Sequence, residues 1–480
     1  MLPILLIHGY SSEGSNSTVE EIYGTLPNDL RKEFGDENVL ELNLSRWISL
    51  NNGITIDDIS FAMNRALEQK YPNLLNSGFN VIIHSTGALV VRNWIKNFSG
   101  KPSSIHNLIH LAGANFGSGL AHIGQGQLAR WGRLIFQGTG QGTQVLNELE
   151  FGSSKTLDMH LHFLQPTNSM YQDYQVQEFC LIGSQTLGML RLIPIPYLKE
   201  DSSDSTVRTS AGNLNFNYIT VKPISDAFSL SSQKTKKIIN KRLDNISFDD
   251  IHYESDLTHL SSNRENVPFS VIFETAHFGG DIGIVTGTEN RQEILPLIKT
   301  ALETPYDIEA YRKTEHVFLE NHQKTFSRAT ELSSILGWNK QQQYEAHAQV
   351  IFRIRDQYGN DVENFDITFR SENEETGVEK LEKMIEDKHI NKTNKGIITF
   401  YFRTEKFENG KWLTRLADIK PVNVEVTGYE PLSGDISYLP MNFLLNSEQL
   451  QQVIQSFKTT IVDIELVRLP SEKVFIIYKQ

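Results

Sequence analysis

Apolar positions in the first hundred or so residues follow two alternating rhythms. Short continuous runs at 3–7, 39–44, 80–84 and 107–111 read as strands buried on both faces. Between them, 18–34, 56–71 and 86–98 carry apolar residues at helical spacing. Strand and helix in alternation predict an α/β fold with mainly parallel strands and right-handed crossovers. Residues 113–175 break the rhythm. They open on Gly113-Ala114-Asn115-Phe116-Gly117-Ser118, continue with Leu128, Trp131, Leu134 and Ile135 near helical spacing, and pass through a glycine-rich stretch at 138–142. That stretch follows no strand and has no P-loop lysine, so it reads as a hinge or loop. Strand patterns resume at 176–182 and 269–275, with insertion material between. Helical patterns follow at 291–302 and 307–334, then a polar segment, 338–344, that reads as a linker. From about 346 the chain changes to short strands with turn signals, at 348–355, 366–369, 397–403, 422–426, 460–466 and 474–478. This spacing predicts a β-sandwich-like region. The expected organisation is an α/β domain over 1–337, interrupted by an insertion at 113–175, and a smaller β-rich domain over 345–480.

Composition narrows the function. A hydrophobic fraction of 39% over 480 residues can fill more than one core. A net charge of −13, with no basic stripe, argues against nucleic acid and against simple electrostatic binding to anionic membranes. No apolar run approaches the ~20 residues of a membrane span. The N-terminal apolar run lacks a basic flank and reads as a core strand rather than a leader, so the expectation is a cytoplasmic protein. The single cysteine, Cys180, lies in an apolar run and reads as a small buried hydrophobe.

The most informative segment is 81–97, VIIHSTGALVVRNWIKN. A β-branched run ends at His84-Ser85-Thr86-Gly87, and a helical pattern starts at once. A serine between a buried strand and a helix has the layout of a nucleophile elbow, with the Thr86 N–H at a helix N-terminus where an oxyanion gains stability. The usual pattern is G-x-S-x-G; here Ile83 takes the first glycine position. The segment alone is equally compatible with a serine capping an ordinary helix. The N-terminal strand runs into His8-Gly9-Tyr10, which reads either as a glycine turn after a buried strand or as a loop whose Tyr10 N–H is the candidate second oxyanion donor.

With LLIHGY at 5–10, HSTGALVVRNW at 84–94, HLAGANFGSGLAHIG at 110–124, SDSTVR at 203–208 and AHFGGDIGIVTG at 276–287, roughly the first two thirds of the chain resembles the α/β-hydrolase superfamily, in its bacterial lipase, phospholipase and esterase-like branch. The resemblance implies an α/β-hydrolase fold and the chain order serine, acid, histidine. On Ser85 as nucleophile, Asp204 is the implied acid, with Ser205 where the branch often has glycine and with Asp201 as competitor. His277, after the strand pattern ending near 275, is the implied base, ahead of His252 and His259. His84 reads as a packing neighbour. The resemblance also implies that the insertion at 113–175 is a cap or lid, with Leu128, Trp131 and Ile135 as the wall of an acyl pocket under it.

The function these residues imply is cleavage of carboxylic esters, with lipid or phospholipid acyl esters as the expected substrates. Two alternatives stay open: an acyltransferase or thioesterase with the same triad, and an inactive hydrolase fold used as a binding module. The departures at Ile83 and Ser205 keep the second alternative open. His160-Leu161-His162 would place two rings on one face of a strand, but no third ligand is near, so no metal and no obligatory cofactor are expected. Partners consistent with this reading are an acyl-ester substrate, a transient membrane contact and a protein partner of the C-terminal region.

Overall fold

The computed structural model describes residues 1–8, 22–49, 51–122, 142–186, 196–223, 255–261, 265–332, 340–371, 381–417, 419–431 and 435–470. Two compact units emerge. The first comprises Met1–Asn215, Ser262–His347 and Lys406–Leu413; the second comprises Phe216–Ser261, Ala348–Glu405 and Thr414–Gln480.

The first unit is built on alternating strands and helices: β1 (Ile4–His8), α1 (Leu26–Phe34), β2 (Val39–Asn43), α2 (Ile56–Lys70), β3 (Phe79–His84), α3 (Gly87–Asn97), β4 (Ile105–Leu111), α4 (Thr143–Leu149), α5 (Ser154–Leu164) and β5 (Gln177–Gly183). The chain then leaves this unit for β6 (Asn217–Pro223) and β7 (Ser255–Ser261). It returns with β8 (Phe269–Ile272), α6 (Arg291–Glu303) and α7 (Ile308–Ala329). The sheet order is β2-β1-β3-β4-β5-β8, with every pair parallel. Burial explains the apolar runs: all of β5 is buried, as is β3 up to Ile83. Sheet growth reverses at β1, which lies between β2 and β3. Crevices in such sheets open outside the carboxyl ends of the strands at that reversal. The segments following β1 and β3 are those carrying Tyr10 and Ser85.

Helix positions follow equally local causes. Thr55 and Asp58 form a capping box that starts α2. Its buried Ser60 Oγ donates to the Val90 carbonyl of α3 at 2.9 Å. A buried ion pair lies behind the sheet's apolar runs. Arg92 of α3 and Glu178 of β5, each nearly fully buried, pair at 3.1 Å, and His110 of β4 meets the same carboxylate at 3.2 Å. Burial alone would raise the Glu178 carboxyl, but Arg92 and His110 hold it below the usual range.

The sequence expectation differs from the structure in four places. The sequence pattern places residues 216–261 in the α/β part; instead β6 pairs in parallel with the distant β18 (Thr459–Leu466) and β7 pairs antiparallel with β6. Ile219 and Val221 of β6 belong to the second unit's core. Conversely, Lys406–Leu413, inside the expected C-terminal domain, groups with the first unit, where the Trp412 indole N–H donates to the Phe326 carbonyl at 3.1 Å. The expected linker is a tight helical turn, Lys340–Tyr344, with Gln343 and Tyr344 buried. The Gln343 carbonyl accepts from the Ser202 N–H at 3.0 Å, and the Tyr344 hydroxyl accepts from the Glu274 N–H at 2.9 Å. Finally, His160 and His162 lie on α5 rather than on a strand. Two residues apart on a helix, their rings diverge. His160 stacks on Phe116 and His162 bonds the Tyr174 hydroxyl.

The second unit continues with β9 (His347–Asp356), β10 (Phe365–Ser371), β11 (Ile385–Ile390), β12 (Ile397–Arg403), β15 (Val422–Gly428), β16 (Ile436–Tyr438), β17 (Met441–Leu445), a helix α8 (Ser447–Val453), β18 and β19 (Arg468–Pro470); the intervening hairpin, β13 (Glu405–Glu408) and β14 (Lys411–Thr414), falls almost wholly in the first unit. A six-stranded sheet of order β11-β12-β9-β18-β6-β7 and a three-stranded sheet of order β10-β15-β17 share one core. Phe369 of β10 packs edge-on against Phe400 of β12, with ring centroids 5.4 Å apart. The region is β-rich and sandwich-like, as expected. The large sheet is mixed, because β18 runs parallel to both β9 and β6. The strand expected at 474–478 lies outside the described residues.

Candidate active site

Ser85 sits where β3 gives way to α3, with φ +54. A non-glycine residue in this left-handed region is strained, and the neighbouring structure must impose it. Two bonds do so: the Ser85 N–H donates to the Leu111 carbonyl at 3.2 Å, and the Ser85 carbonyl accepts from Ala114 at 3.2 Å. The sharp turn brings α3 close to β3. A Cβ at Gly87 would stand 3.3 Å from the Ile83 Cβ, and one at Gly113 would stand 3.0 Å from the Ala88 Cβ. Ile83 is fully buried at the position where the usual motif has glycine, and Gly87 supplies the room it needs. Ile83 is therefore compatible with the elbow.

His277 follows β8, after a short turn. Its Nε2 lies 3.1 Å from Ser85 Oγ, and its Nδ1 lies 2.8 Å from Asp204 Oδ2. The three residues come from distant parts of the sequence and form one hydrogen-bonded line. Asp204 is fully buried and His277 is 4% exposed. The other carboxylate oxygen, Oδ1, accepts the N–H groups of Thr206 at 3.0 Å and Val207 at 2.7 Å. A carboxylate used as an acceptor on both oxygens requires Nδ1 to be the protonated ring nitrogen. Nε2 is then the acceptor for the Ser85 hydroxyl. A backbone bond from the His277 N–H to the Asp204 carbonyl, 3.0 Å, ties the two segments directly.

The acid turn has its own strain. Ser205, at the position read as a glycine substitute, has φ +81. Arg208 closes the turn from below: its guanidinium makes two bonds to the Glu200 carboxylate, at 2.9 and 2.6 Å, and lies over the Phe151 ring at 4.2 Å. Between the candidates Asp201 and Asp204, the carboxylate that meets His277 is Asp204. Of the other histidines, His259 is on β7 of the second unit, bonded to Asn217, and His252 lies outside the described residues. The His84 ring packs against His277 with centroids 4.6 Å apart.

Thr86 heads α3, in the first turn where amides lack helical acceptors. Tyr10, and Leu128, Trp131 and Ile135, which are expected to line an acyl pocket, lie outside the described residues. The Arg92–Glu178–His110 cluster was missed by sequence reasoning. Its signal was present: one arginine within ALVVRNWI and one glutamate within VQEFCLI, each alone in an apolar run, imply a buried pair. Among the described residues, no cluster of side chains suits a metal ion.

No protein-family model matches the chain, and no curated protein matches it. Solved structures do. Phospholipase PlaB from Legionella pneumophila matches with a TM-score of 0.78 at 22% identity, over 100% of this chain and 97% of that one. The same phospholipase in complex with thio-NAD matches with a TM-score of 0.76 at 21% identity, over the same shares of the two chains. The lipase BlEst2 from Bacillus licheniformis, in mature form, overlaps 44% of this chain and 79% of that one, with a TM-score of 0.32 and 17% identity. The chain has an α/β-hydrolase-like fold, a parallel α/β sheet with a β-rich second unit, and this fold matches that of PlaB over its whole length.

Proposed function

We propose that this protein is a serine hydrolase that cleaves carboxylic esters, with lipid or phospholipid acyl esters as its substrates. The observation that carries the proposal is the line Ser85–His277–Asp204 on a strained strand–helix turn. In this reading Ser85 Oγ attacks the acyl carbonyl while His277 Nε2 takes its proton. Asp204 keeps Nδ1 protonated and stabilises the imidazolium. The Thr86 N–H and, in the same role, the Tyr10 N–H bind the tetrahedral oxyanion. His277 then protonates the departing alcohol and activates the water that releases the acid. The lipid substrate class is supported by the whole-chain likeness to a structure named as a phospholipase. Leu128, Trp131 and Ile135 are proposed to hold the acyl chain, and the reaction is proposed to need no cofactor.

The test is acyl release from phosphatidylcholine vesicles and from a short soluble ester, by the wild type and by His277→Ala. Release of free fatty acid by the wild type, with a loss of about 10⁴-fold or more in the variant, supports the proposal. Ester cleavage that survives His277→Ala contradicts it. Transfer of the acyl group to an added alcohol in preference to water would favour the acyltransferase reading.

A further inference from the structure

Asp204 is held by two backbone amides, and the second of them leads away from the triad. The Val207 N–H, which makes the shorter bond to Oδ1, belongs to the same peptide group as the Thr206 carbonyl. That carbonyl accepts a hydrogen bond from the Ser118 hydroxyl at 2.5 Å. Ser118 is 5% exposed and lies in the segment after β4, far in sequence from Asp204. A donor on a peptide carbonyl polarises that peptide and strengthens the bond its own N–H makes. The Ser118 hydroxyl thus acts on Asp204 through one intervening peptide.

The segment carrying Ser118 is also fixed at the other end of the triad. The Ala114 N–H donates to the Ser85 carbonyl, and the Phe116 N–H donates to the Ala211 carbonyl at 2.9 Å. The Asn115 side-chain N–H donates to the Gly212 carbonyl at 2.8 Å. His160, kept neutral by burial and by Arg92, donates from Nε2 to the Asn115 carbonyl at 2.7 Å. The Ser118 N–H donates to Leu149 at 2.8 Å. A closed ring results: Ser85, His277, Asp204, the 206–207 peptide, Ser118, and back along 114–118 to Ser85. The strained nucleophile turn and the strained acid turn therefore share one buried strut.

Taking the serine-hydrolase reading as its basis, we propose that Ser118 is a positioning residue that sets the orientation of Asp204, and through it His277, by holding the 206–207 peptide. Ser118 touches neither substrate nor reacting atoms. Its hydroxyl acts on Asp204, which orients His277 and is felt most strongly when His277 becomes imidazolium in the transition state, so its loss should fall on kcat and leave substrate binding alone.

The experiment measures kcat and KM on a short soluble ester, with active sites counted by fluorophosphonate titration, for the wild type, Ser118→Ala, Ser118→Thr, Ser118→Cys and Ser153→Ala. Ser118→Ala should lower kcat about 3- to 10-fold with KM unchanged, the size of one neutral hydrogen bond. Ser118→Thr, which keeps the donor, should restore most of the loss. Ser118→Cys, similar in volume but a weak donor, should fall between and serves if the alanine variant does not fold. Ser153 is the control: its buried hydroxyl donates to the Glu148 carbonyl at 2.6 Å and makes no bond to Asp204 or to the 206–207 peptide. Ser153→Ala should lower the melting temperature while keeping kcat. Wild-type kcat in Ser118→Ala or Ser118→Cys overturns the proposal, as does an equal kcat loss in Ser153→Ala. A wild type that neither titrates nor turns over ester would sink the hydrolase reading itself, a result distinct from either of these.

Discussion

Ser205→Gly should stabilise the protein although the residue is fully buried beside the proposed catalytic acid. Two costs are present at this position. A φ of +81 costs an L-residue about 1–2 kcal/mol relative to glycine. The Ser205 Oγ has no hydrogen-bond partner among the described residues, and an unpaired buried hydroxyl costs about 1–3 kcal/mol. Two effects oppose the gain. Glycine gives up about 0.5–1 kcal/mol through the freer unfolded chain, and losing the buried methylene gives up about 0.8 kcal/mol. The balance favours glycine by about 2 kcal/mol. For a unit of this size that is a rise of about 3 °C in melting temperature. The bonds that hold Asp204 come from backbone amides and survive the change, so ester turnover should stay within about 2-fold. Ser205→Ala separates the two costs: it removes the hydroxyl and keeps the strained φ, so its gain should be smaller than that of glycine. Urea unfolding, thermal melting and ester turnover on the three proteins suffice. A glycine variant no more stable than wild type would refute the strain argument. An alanine variant less stable than wild type would mean that the hydroxyl has a partner.

Other expectations follow from the same structure. Truncation after Glu345 should give an insoluble fragment, because β6 loses β18 and its apolar face loses its core; a soluble, ester-cleaving fragment of residues 1–345 would contradict the pairing. The buried His322 accepts the Val271 N–H at Nδ1, and burial pushes its pKa down to about 4. Its unfolded form takes up a proton near pH 6.5 while the folded form does not, so stability falls as pH drops from about 6.5 to about 4, by on the order of 3 kcal/mol, and His322→Gln should flatten that part of a urea-midpoint-against-pH curve. Trp131→Ala should slow cleavage of long-chain lipid esters more than of short soluble esters if the ring lines the acyl pocket; an unchanged ratio of the two rates would remove Trp131 from it.

The α/β core was legible because its strands are buried on both faces, so apolar runs such as Val81–Ile82–Ile83 announce themselves without any partner. The Ser85 turn was legible for the same reason: a strand stopped and a helix began with only the turn between. Choosing Asp204 over Asp201 took more than local pattern, since an acidic loop offers several carboxylates, and the choice rested on the resemblance. Pairing was not legible. Nothing within Asn217–Pro223 says that its partner is Thr460–Ile464, because a half-buried strand records that one face is covered and not by what. The glutamines at 341–343 looked like a linker by composition. Of these only Gln343 is buried, and its burial depends on Ser202 and Thr186, whose amides need the acceptors that Gln343 provides. His160 and His162 misled because a short apolar stretch fits both periods, and the helix is decided by Ser153, whose side chain caps α5.

The central claim is that Ser85 is an activated nucleophile, and covalent labelling tests it without knowledge of the substrate. The purified full-length protein is treated with a fluorophosphonate and digested, and the peptides are analysed by mass spectrometry. The account predicts stoichiometric modification at Ser85, none elsewhere, and none in Ser85→Ala, with the variant folded as judged by its melting temperature. It also predicts that His277→Ala labels slower by about 10³-fold or more, since the hydroxyl then lacks its base. A wild-type protein that stays unlabelled, or a Ser85→Ala variant that labels as fast as wild type, would contradict the account.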